Sequence, residues 1–365
     1  MIYTLGELFC GAGGLGLGAT LAQVQSPTGE PYGIAPTWAN DYDPHACATY
    51  ARNLMPDHPE HIVCAPVERL DWTQRRPVDA VTFGFPCNDF SLVGEHQGLN
   101  GHFGGLYRYG VQAVRFFQPA WFLAENVSGL QSANHGRAFQ QILAELAAEG
   151  YRLVAHTYHF EQYGIPQKRH RIIVVGIRED LPVAYRVPAP TTPTPDQWMT
   201  AEQALHGALD VPWNNERTRH APRVVELLEH LRPGDNAWSE TLPERLRLDV
   251  KGAKLSQIYK RLKPDEPAYT VTGSGGGGTH IYHWKEPRAL TNRERARLQT
   301  FPDDFVFEGT KEHVRKQIGM AVPPLGAKVI FEAVLKTMAG ISYDWVTPNI
   351  PGETRPSRGS IAVEA

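Results

Sequence analysis

Cysteine is scarce in this chain: four in 365 residues, Cys10, Cys47, Cys64 and Cys87, and no two of them form a C-x-x-C pair. That excludes the common cysteine-based zinc sites and gives no disulfide framework, so no metal is expected. Long apolar runs are also missing. None reaches the roughly 18 residues a membrane span requires, and Met1 to Glu7 carries no basic residue of the kind that opens a secretory signal. An intracellular, cytoplasmic protein with no membrane attachment is expected. A dominant charge is lacking too: the formal net charge is −3, which does not advertise a polyanion binder. The nearest thing to a basic tract lies between Asn215 and Lys263, where eleven Lys or Arg face seven Asp or Glu. Hydrophobic residues at 42% and charged residues at 21% are an ordinary globular balance, over a length that allows two domains or one with a large insertion.

What the chain does have is glycine set among alternating strands and helices. Leu5 to Phe9 reads as a strand running into Cys10-Gly11-Ala12-Gly13-Gly14-Leu15-Gly16, a glycine-rich turn that opens a helix. Gly11, Gly13 and Gly16 match G-x-G-x-x-G, the spacing used where backbone passes close to a nucleotide. Ala35 to Asn40 reads as the next strand, and Asp41 follows it. A carboxylate there can accept from both hydroxyls of a ribose; otherwise it caps the helix expected from Pro44 to Leu54. The cofactor is then a dinucleotide or another adenosine-bearing molecule. Further strands are expected at 78–83, 121–124, 151–159 and 172–177, with helices at 136–150, 291–299 and 325–338. That is an α/β architecture with a doubly wound sheet.

Val78 to Phe83 runs into Gly84-Phe85-Pro86-Cys87-Asn88-Asp89-Phe90-Ser91. Gly84 and Pro86 end the strand, so Cys87 falls on a loop at the strand's carboxyl end, where open α/β sheets bind ligands. It is either a buried structural thiol or a nucleophile. Glu125-Asn126 ends the following strand at the same edge. Arg169 and Arg171 are two apart, so on extended backbone they share a face and suit an anionic ligand. From Leu181 the prolines crowd and the alternation is lost until about Glu286.

The ordered set resembles the DNA (cytosine-5) methyltransferases of bacterial restriction–modification systems. It runs F-x-G-x-G-G, acid, G-F-P-C-x-x-F-S, E-N-V, Q-K-R-x-R, an irregular basic stretch, a basic helix, and a glycine–proline turn before a last helix. The resemblance extends from Leu5 to about Met338. It implies a Rossmann-like S-adenosyl-L-methionine-dependent fold with a smaller, irregular target recognition domain. The implied catalytic domain spans 1–181, with 315–346 packing back onto it. The recognition domain and basic helix span 182–314, and a flexible tail covers 347–365.

The resemblance also implies roles. Cys87 would add to C6 of a cytosine turned out of the duplex, and Glu125, held by Asn126, would protonate N3. Arg169 and Arg171 would stabilise charge on the cytosine carbonyl oxygen. The cofactor would meet Phe9, Cys10, Gly11, Ala12, Gly13, Gly14, Asp41, Tyr42, Val67, Gly84, Pro86, Met320 and Ala321. Double-stranded DNA would meet Ser91, Tyr259, Arg261, Thr270 and Thr272, with Arg261 the first choice for a base contact or a phosphate clamp. A monomer is implied, with a cognate restriction endonuclease as an unstable partner at most. Several positions depart from the family: Asn88 replaces a Gln, Pro66 an Asp, Phe103 an Arg, and Met320 an Asn. An RNA cytosine methyltransferase and a non-catalytic DNA-binding relative are the alternatives. A nicotinamide or flavin oxidoreductase explains the glycines but not Cys87 beside Glu125.

Overall fold

The computed structural model describes residues 1–85, 105–131, 136–248, 255–273, 275–276 and 278–351. Its first half alternates strand and helix: β1 (Ile2–Leu8), α1 (Gly14–Leu21), β2 (Gln23–Gln25), β3 (Pro31–Asp41), α2 (Pro44–Leu54), β4 (Ile62–Cys64) and β5 (Ala80–Gly84). Then come α3 (Tyr107–Phe117), β6 (Trp121–Val127), α4 (Arg137–Ala148), β7 (Tyr151–His159), β8 (Gln167–Lys168) and β9 (His170–Arg178). One sheet orders these strands β2-β3-β1-β5-β6-β9-β7, with β4 on β3. β3, β1, β5 and β6 run parallel, and β9 turns antiparallel against both β6 and β7. β5 is buried along its first four residues, as a parallel strand covered on both faces must be, so its apolar run carries no alternation.

The two faces are covered by different helices. Val111 and Val114 of α3 and Ile142 and Leu146 of α4 pack on Val81, Phe83 and Phe122. On the other face Leu15 and Ala19 of α1 meet Ile330, Phe331 and Val334 of α9 (Pro324–Met338), over Leu5, Trp121 and Tyr158. An 18-residue window within Lys311–Met338 has a mean hydropathy of 1.5, and the segment is long enough to cross a membrane. It is two helices, however: α8 (Lys311–Met320) and α9, parted at 321–323, with Val314, Ile318, Ile330, Phe331 and Val334 in the core.

The region from 182 to 314 has little regular structure: β10 (Val187–Pro188), α5 (Ala201–Leu205), α6 (Pro222–His230), β11 (Ala268–Tyr269) and α7 (Asn292–Leu298). Irregular backbone leaves carbonyls without ladder partners, and buried ones need donors. Here arginine side chains supply them. Arg293 is fully buried and donates to the carbonyls of Pro302 and Phe305 and, at 3.3 Å, of Trp213. Arg261, 4% exposed, donates to those of Leu228, Leu231, His283 and Glu286. Arg288 holds Glu294 through two bonds, 2.7 and 2.8 Å, and Glu294 closes the capping box with Thr291 that starts α7. The basic helix expected at 291–299 is therefore present, with its arginines 293 and 295 turned inward rather than toward a polyanion.

Two expected boundaries shift. Tyr185 and Val187 belong to the core under the sheet, and β10 pairs with β12 (Trp345–Val346), so the first unit reaches past 181. The tail does not fray at 347. Asn349 bonds to both the amide and carbonyl of Thr157, and Ile350 is buried.

Candidate active site

The carboxyl ends of β1, β3, β5 and β6 converge on one cleft of about 470 Å³. The first end is set by β1 and its turn. Phe9 leaves the strand at φ 53°, a left-handed conformation unusual for an aromatic residue. Gly11 donates its N–H to Asp41 Oδ2 at 2.8 Å, and Asp43 donates to Asp41 Oδ1 at 2.9 Å. Burial pushes the Asp41 carboxyl up, and these two N–H groups pull it back. Each carboxylate oxygen keeps a second lone pair for a hydroxyl, so Asp41 can still take a diol. The helix cap belongs to Asp43, which accepts from His45 and Ala46. Exposed Tyr42 lies at the rim beneath Lys316, whose Nζ is 5.7 Å from its ring centre and 3.4 Å from Asp43.

At the other end, β6 delivers Glu125 and β9 delivers Arg171, with Arg171 Nε 3.0 Å from Glu125 Oε1 and both side chains mostly buried. Gly84 leaves room for the carboxyl: a Cβ there would sit 3.1 Å from Glu125 Oε2. Burial raises the Glu125 pKa, while Arg171 and then Arg169 act to lower it. Between the two ends lie Gly84 and Phe85, two residues before Cys87 in the chain. Pro86, Cys87, Ser91 and most of the glycine loop that follows lie outside the described residues.

Of the expected cofactor residues, Phe9, Cys10, Gly11, Ala12, Gly14, Asp41, Tyr42, Gly84, Met320 and Ala321 line this cleft. Two do not. Gly13 turns toward α2, where a Cβ would strike Leu54 and Tyr50. Val67 is buried in the cluster of Trp38 and Val78. Three other expectations are corrected. Arg169 shares no face with Arg171, because the ladder breaks at 169 between β8 and β9; it is 1% exposed and donates to the carbonyls of Val271, Gly319 and Ala321. Asn126 does not hold Glu125. Its amide donates to the Phe85 carbonyl and accepts from Val127 N–H, which anchors the strand end leading to Cys87. Arg261 is a buried brace, as described above, and cannot meet a base edge. Thr272 lines the cleft, Thr270 donates its hydroxyl to the Lys168 carbonyl, and Tyr259 sits at φ 51° with its N–H on Gly278. Gly319 packs so tightly on 272–273 that a Cβ would lie 2.0 Å from Gly273 N.

Motif reading missed Glu7. It lines the cleft floor, 1% exposed, and accepts from Tyr50 Oη at 2.8 Å. Burial raises its pKa to about 8, against hydrogen bonds from Tyr50 and the Gly16 backbone that lower it. A carboxyl raised in this way is protonated when folded and ionised when unfolded. Stability should therefore fall as pH climbs from about 4.5 to about 8. In Glu7→Gln that part of the slope should vanish from denaturant melts taken across the window.

The family described as C-5 cytosine-specific DNA methylase matches residues 3–336. The chain belongs to this family. It is 58% identical over 351 residues to the type II methyltransferase M.BbvI of Brevibacillus brevis, covering 94% of this chain and 93% of that protein. It is 38% identical over 336 residues to the type II methyltransferase M.NgoFVII of Neisseria gonorrhoeae, covering 90% and 85%. The solved structure of an E. coli protein described as a prophage-encoded DNA modification methyltransferase shares the fold, at a TM-score of 0.71 and 23% identity over 92% of this chain and 99% of that one.

This protein is thus an S-adenosylmethionine-dependent DNA cytosine-5 methyltransferase. The cleft of the methyltransferase fits that cofactor, with an acceptor pair at Asp41, aromatic rings at Phe9 and Tyr42, and close backbone at Gly11 and Gly14. For the methyltransferase, Arg261→Leu should lower the melting temperature while leaving the methylated sequence unchanged in bisulfite reads. Removing a buried charge that braces four carbonyls costs about 3–5 kcal/mol, and a brace reads no base.

Proposed function

We propose that the Glu125–Arg171 pair and Cys87 form the catalytic group that acts on a cytosine turned out of duplex DNA. One observation carries this reading: a single cleft runs from Asp41 to Glu125 and Arg171, past the strand end that leads to Cys87. C5 of cytosine is a poor nucleophile. Adding a thiolate at C6 breaks the aromatic ring and makes C5 enamine-like. In this reading the Cys87 sulfur bonds C6 while Glu125 gives its proton to N3, so no net charge builds on the ring. Arg171 faces the carbonyl oxygen and holds the Glu125 carboxyl in place. S-adenosylmethionine, when bound, supplies an electrophilic methyl group. Loss of the C5 proton, departure of Cys87 as thiolate and return of the N3 proton to Glu125 then restore the neutral ring.

The duplex supplies the base only after unstacking, at a cost of a few kcal/mol. Residues 182–314 are proposed as the part that reads the target, and the enzyme as a cytoplasmic monomer acting on its own cell's DNA beside a separate restriction endonuclease. A target duplex carrying 5-fluorocytosine tests the covalent step. Fluorine cannot leave as the C5 proton does, so enzyme and DNA should remain joined through denaturing electrophoresis when the cofactor is present. No adduct on duplex DNA that is otherwise methylated would sink the reading.

A further inference from the structure

We propose that His159, Glu161 and His170 bind one divalent transition-metal ion such as Zn²⁺. His159 ends β7 and His170 starts β9, and the antiparallel register sets them directly opposite each other. Their rings stack 3.9 Å apart at 15°, so ligation of one ion by both requires the rings to turn until their in-plane nitrogen lone pairs converge. Glu161, in the turn that follows β7, places Oε1 2.9 Å from His170 Nε2 and 3.9 Å from His159 Nδ1. One donor atom from each of the three residues lies within 4.8 Å of the others. Tetrahedral zinc with bonds of about 2.0–2.1 Å sets its ligand atoms about 3.3 Å apart, between the two distances seen here. Two imidazoles and a carboxylate are also a donor set that zinc takes, with water in the fourth position.

The independent observation is the Glu161 carboxyl itself. Its side chain is only 6% exposed, and its Oε2 is buried with no hydrogen-bond partner. A lone carboxylate oxygen shut from water without a donor is costly, and a cation against this carboxyl removes that cost. The imidazoles are 42% exposed, so an ion can reach them from solvent. Side chains alternate along β9, so His170 lies on the face opposite Arg171 and away from the cleft. An ion here would tie the end of β7 to the start of β9 across the segment that carries Gln167 and Arg169. Its role is structural, and its binding free energy adds to that of folding. The cysteine count could not suggest it, because the three ligands meet only through strand register.

The test is calorimetric titration of Zn²⁺ into the full-length, chelator-treated protein. One equivalent should bind, and His159→Ala or Glu161→Gln should weaken it by about tenfold or more. His58→Ala/His61→Ala, which dismantles the exposed His58–Glu60–His61 trio, should leave that equivalent unchanged. Because Glu161 is buried, thermal melts of the half-exposed His159→Ala variant separate lost ligation from lost fold. In chelator it should melt with the wild type, and the rise that Zn²⁺ gives the wild type should be absent. No stoichiometric binding, or equal binding and equal thermal response in wild type and His159→Ala, would overturn the proposal.

Discussion

Arg169→Met is expected to leave little folded protein, while Arg171→Met should fold and fail to methylate. The two arginines sit two residues apart in one motif, so the contrast is sharp. Arg169 is buried and its guanidinium spans three carbonyls, of Val271 from the irregular region and of Gly319 and Ala321 beside the last helices. Methionine keeps the volume and removes every donor. Breaking a buried charge network of this kind costs about 3–5 kcal/mol, a large share of the 5–15 kcal/mol that holds typical domains together. Arg171 is also largely buried, but its partner is the Glu125 carboxyl in the cleft. Losing a positioned cation that faces developing charge costs about 10²–10³ in kcat. Thermal melts and methyl incorporation on the same two variants check both halves. If Arg169→Met melted with the wild type, the bracing role would be wrong.

Glu125→Gln should lower kcat by about 10²–10⁴, the span attributed to a positioned general acid. The amide has nearly the same shape but no transferable proton for N3. DNA and cofactor binding should persist, because Asp41 and the glycine turn lie at the far end of the cleft. The pH dependence carries a sign. Burial holds the Glu125 pKa above its ordinary value, with Arg171 opposing. The proton-bearing form therefore survives to higher pH than in a free glutamate, and single-turnover rates should fall as pH rises through that pKa. Glu125→Gln should lose this falling limb. A variant that keeps the wild-type rate, or keeps the limb, would remove Glu125 from the chemistry.

Much of this fold is legible without coordinates because its signals are local. The apolar run of β5, the proline that starts α2, and the T-x-x-E box of α7 each declare themselves within a few residues, although the cap of α2 is Asp43 and not Asp41. The strand ends at Asp41, Gly84 and Glu125 followed from them, since parallel strands bring their carboxyl ends together. What was illegible depends on which way a side chain turns. Arg169 and Arg261 read as ligand-facing because exposed arginine is the common case, yet both point into carbonyl-rich interior. Nothing within a few residues of Arg261 announces the carbonyls of Leu228 and Leu231. Val67 follows Pro66, where the family carries an Asp, but its side chain is buried in the cluster of Trp38 and Val78. Glu7 looked like one polar residue in a strand, and only its burial against Tyr50 sets it apart.

The arginines that stitch residues 182–314 also bear on how such an enzyme changes its target. A guanidinium bound to main-chain oxygen is indifferent to the side chain that oxygen belongs to. The stretches between stitches can then be lengthened, shortened or rewritten with no loss to the brace. If residues 182–314 read the target as proposed, a surface hung on such a frame can drift toward a new DNA word while the frame stays put.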